Sequence, residues 1–284
     1  MAPEAFATIL ILISALLHAV VNAIVKVSDD GLLTRGCMNA TALVVAAPIA
    51  FFVPWPSEEL WPILVLAMLV HGLYPFFLVA AYRYGDLSAV FPLARGTAPL
   101  GVAFLAAALA GEVVSAAKLA CIALISAGVA AFAFERGTLS TPSRWRGVAF
   151  AVVTGIIIAV YTVIDGIGLR VADGKLTYIV WLFVMDGAFV SASVALVRRH
   201  ALAPFLRMNW RPALLGGILG IITYGLALYA LGLGAITEIA ALRETSIVFA
   251  ALIGALFLRE AFGPRRMLAA ALVAVGVIAL QLTR

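Results

Sequence analysis

Two arginines, Arg95 and Arg243, interrupt long apolar stretches of the sequence. A charged group in apolar surroundings needs a partner, because burying it alone is costly. The planar guanidinium matches the two oxygens of a carboxylate, so either arginine could bind a carboxylate-bearing solute. The alternative is an ion pair within the protein, for which Asp165, Asp186 and Glu244 are candidates because they also lie in apolar stretches. The sequence leaves both alternatives open.

Two histidines, His18 and His71, also fall within apolar stretches. Histidine titrates near neutral pH and could relay protons, as could Asp165 and Asp186, whereas hydrogen bonding between helices is the structural alternative. His18, Asn22 and Lys26 follow one another at four-residue spacing, which places them on one face of a helix. This polar stripe predicts that the first helix borders an internal cavity.

The elements that carry these residues are predicted from the composition and the lengths of the apolar stretches. The 284-residue chain is 65% hydrophobic and 12% charged, with a mean hydropathy of +1.15. Soluble proteins carry about 25% charged residues, so the composition indicates an integral membrane protein. A helix needs about 20 apolar residues to cross a bilayer, and ten stretches have about this length: 5–27, 36–54, 61–81, 87–110, 116–134, 147–169, 175–197, 213–231, 235–258 and 264–282. The predicted fold is all-α, with ten transmembrane helices, short connections that include 135–146 and 198–212, and no soluble domain.

Lysine and arginine are unevenly distributed among the connections. The odd-numbered connections carry Lys26, Arg35, Arg83, Arg136, Arg144, Arg146, Arg198, Arg199, Arg207, Arg211, Arg259, Arg265 and Arg266, whereas the even-numbered connections and the tails carry Lys118, Arg170, Lys175 and Arg284. Short loops rich in these residues stay in the cytoplasm. Both termini are therefore predicted to face outward, on the side of the membrane opposite to the cytoplasm.

Aromatic side chains near the polar positions could form the walls of a solute pocket. Tyrosine and tryptophan also collect at membrane interfaces, where Tyr178 and Trp55 are assigned. The substrate-binding candidates are Arg95, His71, Tyr82, Trp181, Tyr224 and Arg243. The candidates for coupling or for structural polar contacts are His18, Asn22, Asp165, Asp186 and Glu244.

An internal repeat relates residues 80–112 to residues 227–260. The matching pairs are Tyr82 and Tyr229, Gly85 and Gly232, Arg95 and Arg243, Thr97 and Thr245, and Glu112 and Glu260. The predicted halves, residues 1–134 and 147–284 of a single membrane domain, each hold five helices. Because five is odd, the second half enters the membrane in the opposite direction to the first. Inverted repeats are common in secondary transporters, whose substrate site lies near the midplane where the halves meet.

These features resemble the EamA group of the drug/metabolite transporter superfamily. The resemblance rests on the two halves, on helices that end in glutamate ("LAGE", 109–112, and "FLRE", 257–260), and on segments such as "LLHAVVNAIVK" (16–26) and "YTVIDGIG" (161–168). Within this group the sequence is similar to amino-acid exporters of the YddG type. The resemblance implies a transporter of the bacterial inner membrane that exports small metabolites, including aromatic and hydrophobic amino acids, by alternating access. An uptake permease for another metabolite is the alternative.

Other classes of protein are disfavoured by missing motifs. The sequence has no HExxH, GxSxG or phosphate-binding glycine motif, which argues against a membrane-embedded enzyme. No cofactor, metal or nucleic acid is predicted as a partner. The predicted partners are a small-molecule substrate and the lipid bilayer, with coupling to protons and the choice between monomer and homodimer left open.

Overall fold

The computed structural model describes residues 3–26, 28, 30–84, 87–131, 142–257 and 264–283, and the regular structure within these ranges is helical throughout. Gly85 and Glu260 of the repeat lie outside the described residues, as do Arg136, Arg259 and Arg284. The helices are α1 (Pro3–Lys26), α2 (Gly31–Ile49), α3 (Leu60–Tyr84), α4 (Leu87–Leu109), α5 (Ala116–Ala131), α6 (Pro142–Val171), α7 (Lys175–Val197), α8 (Arg199–Leu231), α9 (Ile236–Arg243), α10 (Thr245–Phe257) and α11 (Pro264–Leu282), with a 3₁₀ turn at Ala50–Phe52.

Seven of these helices, α1 to α4 and α6 to α8, are long and apolar enough to cross a membrane. Two apolar segments are shorter, α5 (Ala116–Ala131) and the part of α11 from Met267 to Leu282. The prediction of an all-helical fold is confirmed for the described residues, and these seven helices are candidate membrane spans. The bounds predicted for α7 and α11 also agree with the structure.

The prediction of one helix over 235–258 is wrong, because α9 and α10 are separate helices with Glu244 between them. The amide of Glu244 donates to the carbonyl of Ala241 at 3.1 Å, and the amide of Ile247 donates to the carbonyl of Glu244 at 3.0 Å. Both bonds span three residues instead of the four of an α-helix. The chain is therefore wound more tightly at this junction.

The prediction of a loop over 198–212 is also wrong, because α8 begins at Arg199 and continues through Pro204 and Pro212. Phe205 is buried in a cluster with Leu33 of α2 and Val194 of α7. This tertiary contact stabilises a helical segment whose composition suggests a connection.

The two halves of the chain pack mainly on each other. α1 packs on α8, α2 on α7, α3 and α4 on α6, and α5 on α11. Gly155 of α6 allows a close approach to α4, since a Cβ at this position would lie 2.6 Å from the carbonyl oxygen of Ala94. The neighbouring Arg95 therefore faces the interior of the bundle, where it is buried.

Candidate functional site

A small internal cavity lies where α1, α4, α6, α8 and α9 meet. Its lining residues are Ile11, Arg95, Ala98, Pro99, Val102, Ile158, Thr162, Asp165, Tyr224, Ala227, Leu228, Leu231, Ile239, Ala240, Arg243 and Glu244. It offers about 20 Å³ to the centres of water molecules, which is room for one or two waters. The cavity is therefore narrow in this conformation.

Arg95 forms an ion pair with Glu244 at the junction of α9 and α10. The Nε of Arg95 donates to Oε2 of Glu244 at 3.1 Å, and Nη2 lies 2.9 Å from Oε1, outside hydrogen-bond geometry. Each side chain is only 3% exposed. Glu244 is next to Arg243 in sequence, but its carboxylate binds the arginine of the other half of the chain. The pair neutralises two charges that would be costly to bury separately.

Arg243 occupies a different environment in the same cavity. Its guanidinium carbon lies 4.8 Å from the centroid of the Tyr224 ring, which is a cation–π contact. Its Nε is buried and has no hydrogen-bond partner among the described residues. Since guanidinium has five N–H donors and no acceptor, Arg243 retains donor capacity toward a ligand in the cavity.

Asp165 is completely buried and is the centre of a hydrogen-bond network. Its Oδ1 accepts a bond from the hydroxyl of Tyr178 at 2.8 Å, and its Oδ2 accepts one from the hydroxyl of Tyr224 at 2.6 Å. The Nε2 of His71 lies 3.2 Å from Oδ2 and donates to it when that nitrogen is protonated. Bonds from α3, α7 and α8 therefore compensate for the burial of a carboxylate on α6.

Tyr224 joins the two polar groups of the cavity. Its hydroxyl binds Asp165, and its ring lies against the guanidinium of Arg243. Asp186 lies close enough to His71 and Asp165 to interact with them electrostatically. One of its oxygens, Oδ1, is buried without a hydrogen-bond partner among the described residues.

The other candidates from the sequence lie apart from the described lining of this cavity. Tyr82 packs against a cluster that contains Ala81, Val90 and Ala151. Trp181 packs edge-on against Trp55, with ring centroids 4.5 Å apart. His18 and Asn22 of α1 are partly buried, and His18 lies within electrostatic range of Arg95 and Arg243. Roles for these residues in substrate binding or coupling stay predictions.

The assignment of Tyr178 to the membrane interface is wrong, because its side chain is fully buried and binds Asp165. Gly168 of α6 makes room for the ring, since a Cβ there would lie 2.1 Å from the ring of Tyr178. Two features of the sequence indicate this contact. Gly168 lies one turn after Asp165 and leaves space beside α6, and the connection that follows α6 is short, so the start of α7 lies nearby. The prediction relied on residue type alone.

Comparison with known proteins shows what this architecture is similar to. Residues 145–282 match the EamA-like transporter family. A crystal structure of another protein superposes with a TM-score of 0.77 over 98% of this chain and 99% of that chain, at 21% sequence identity. This similarity shows a shared fold over almost the whole length. No functionally curated protein matches the sequence.

Proposed function

Because this chain carries an EamA-like transporter domain over residues 145–282, we propose that it is a secondary transporter for small carboxylate-bearing metabolites, with amino acids as the first candidates. Export across the inner membrane of a bacterium is proposed from the resemblance to YddG-type exporters. The excess of Lys and Arg in the odd-numbered connections supports an orientation with both termini in the periplasm.

The observation that carries the proposal is that Arg243 has no carboxylate partner among the described residues, in a cavity built by both halves of the chain. Each arginine keeps one buried nitrogen without a hydrogen bond, but Arg95 is neutralised by Glu244, whereas Arg243 contacts a tyrosine ring. A carboxylate is the ligand that best complements such a guanidinium. Arg243 is therefore the proposed substrate anchor, and Arg95 is the structural member of the pair.

Reciprocal packing supports ten membrane spans arranged as two inverted halves. With α9 and α10 taken together as one span, the counterparts of α1 to α5 in the second half are α6, α7, α8, the α9–α10 pair and α11. α1 packs on α8, and the counterpart of α1, α6, packs on α3, the counterpart of α8. In the same way, α1 packs on α9 and α10, and α6 packs on α4. α2 and α5 pack on their own counterparts, α7 and α11. A twofold relation between the halves produces this exchange of partners. The same relation underlies alternating access in transporters with inverted repeats.

Exchange in proteoliposomes tests the proposal. Vesicles that contain the purified protein and an unlabelled amino acid should take up the labelled amino acid, and the corresponding amide should compete poorly because it lacks the free carboxylate. Arg243→Gln should strongly reduce this discrimination. Arg207→Gln, which changes an exposed arginine of α8 far from the cavity lining, is the matched control. Absence of exchange for every carboxylate solute in a broad panel would contradict the proposal.

A further inference from the structure

Glu112, in the connection between α4 and α5, binds the first turn of α9. Its Oε1 accepts a bond from the amide of Ile236 at 2.7 Å, and its Oε2 accepts bonds from the amide and the hydroxyl of Thr237 at 3.1 and 3.0 Å. The same carboxylate forms an ion pair with Arg170 near the end of α6. Its side chain is only 9% exposed. One residue thus links the α4–α5 connection to two helices of the second half.

The local chain conformation explains why Glu112 reaches α9. Gly111 has φ of 67°, in the left-handed region that favours glycine, and the amide of Glu112 donates to the carbonyl of Ala106 at 3.1 Å. This arrangement is typical of a glycine cap at a helix C-terminus. It ends α4 and turns the chain so that the next side chain points toward the second half.

α9 depends on Glu112 for its N-terminal cap. The residue at its own N-cap position is Ala235, which has no side-chain hydrogen-bonding group. The first amides of a helix lack partners within the helix and carry a partial positive charge. A carboxylate from elsewhere in the chain binds them here. Lys118 of α5 adds an ion pair with Glu238 in the same turn.

α9 connects this cap to the polar groups of the cavity. The helix has eight residues, which makes it about 12 Å long. Its first turn binds Glu112, its last residue is Arg243, and the next residue is Glu244, the partner of Arg95. Because the helix is so short, holding its first turn in place also holds Arg243 and Glu244 in place at the cavity.

Leu228 and Leu231 of α8 and Ile239 of α9 line the end of the cavity that α8 and α9 form, and each is at most 5% exposed. A movement of α9 away from α8 would expose this end of the cavity. It would also pull the first turn of α9 away from Glu112.

We propose that Glu112 is a positioning residue of the transport cycle: its bonds to α9 hold this end of the cavity closed, and their release allows α9 to tilt and the cavity to open toward the α4–α5 connection. The inference rests on the proposed transport function for its role in a cycle. The bonds between Glu112 and the first turn of α9 do not depend on the identity of the solute.

Cysteine accessibility tests the inference without a substrate. Leu231→Cys, in a background with Cys37→Ser, places a thiol in the cavity lining. Cys121, which is buried between α5 and α11, stays in place to report unfolding.

In the purified protein well below its Tm, a water-soluble maleimide should label position 231 several-fold faster after Glu112→Ala. The increase in labelling rate should be smaller after Glu112→Gln, which keeps one acceptor oxygen. Labelling of Cys121 should not change. Glu58→Gln, at an exposed glutamate before α3, is the matched control.

Equal labelling of position 231 in the parent and both Glu112 variants would overturn the inference. A parallel rise at Cys121 in both variants would overturn it as well, since Glu112 would then only stabilise the fold. If Glu112→Ala does not fold, Glu112→Gln and Arg170→Gln decide the matter in the same assay.

Where transport is measurable, the Glu112 variants should change the exchange rate more than the KM for the solute, because Glu112 does not line the cavity. A failure of the exchange assay alone bears on the proposed function and leaves the labelling result valid.

Discussion

Arg95 and Arg243 occupy matching positions in the sequence repeat but differ in what surrounds their guanidinium groups. Arg95 faces the carboxylate of Glu244 at 2.9 Å, and both side chains are buried. Arg243 faces an aromatic ring and has no carboxylate partner among the described residues, although each of the two arginines keeps one buried nitrogen without a hydrogen bond. This difference in partners is the reason why a binding role is proposed for Arg243 and a structural role for Arg95.

Substitution of the two arginines should separate these roles. Arg95→Gln leaves Glu244 buried without its partner, which should lower the free energy of unfolding by about 3–5 kcal/mol. Arg243→Gln should cost less stability but reduce the preference for an amino acid over its amide by roughly tenfold or more, because a charge-assisted bond to the carboxylate is lost. Thermal melting and competitive exchange measure the two effects.

The double variant Arg95→Gln/Glu244→Gln is the control for that experiment, since it replaces both charges and should recover part of the lost stability. If Arg95→Gln melts like the parent and loses discrimination instead, the assignment of the two arginines is reversed.

The contact between His71 and Asp165 predicts an effect of pH on transport. His71 lies 3.2 Å from Asp165, and its ring centroid lies 4.2 Å from that of Tyr161. Asp186 and Arg243 are within electrostatic range of His71. A proton taken up by this group would change the bond between Asp165 and Tyr224, and thereby the contact of Tyr224 with Arg243. If His71 carries a coupled proton, His71→Gln should flatten the dependence of the exchange rate on pH between about 5 and 8.

His200, an exposed histidine of α8, provides the comparison in His200→Gln. An unchanged pH profile in His71→Gln would make the contact with Asp165 a structural hydrogen bond only.

At the scale of the elements, tertiary contacts decide what the sequence leaves open. Hydropathy predicted α7 and α11 correctly because each is a single apolar stretch with polar ends. The junction at Glu244 contains neither glycine nor proline, so no local signal marks it. The hydroxyl of Thr245 bonds to the carbonyl of Leu242 at 2.8 Å, while Glu244 binds Arg95 of α4. That last contact is distant in sequence and could not be read from the segment itself.

The packing of α6 against α7 predicts a difference between two glycines. A Cβ at Gly168 would meet the ring of Tyr178 at 2.1 Å, whereas a Cβ at Gly174 would have its nearest neighbour, Oγ1 of Thr177, at 3.7 Å. Gly168→Ala should therefore destabilise the protein by about 1–3 kcal/mol. Gly174→Ala should leave the Tm nearly unchanged. Equal melting of the two variants would mean that the Tyr178 ring moves without cost.

At the scale of the whole molecule, composition alone predicted the membrane class, because 65% hydrophobic residues cannot be buried in a soluble chain of this size. The cavity was predicted only in part. Arg95, Arg243 and Tyr224 were nominated as binding residues, and the structure brings them together with Asp165 and Glu244. Tyr178 and Glu112 were missed because their partners come from other helices.

The charge distribution predicts the orientation of the molecule. A reporter that is active only in the cytoplasm should work when it is inserted at Arg198, the turn between α7 and α8, and should be silent when it follows Arg284. Activity at Arg284 together with silence at Arg198 would reverse the proposed orientation.

The tryptophan cluster gives the protein a built-in optical signal. Trp55, Trp61 and Trp181 contact one another, with centroids 4.5–5.6 Å apart, and the chain has only five tryptophans. Trp55 and Trp61 border the connection between α2 and α3, while Trp181 belongs to α7. If the remaining two, Trp145 and Trp210, are replaced by phenylalanine, all of the indole fluorescence comes from this one contact. A shift of its emission spectrum on adding a solute would then report, without any attached dye, that the connection and α7 have moved apart.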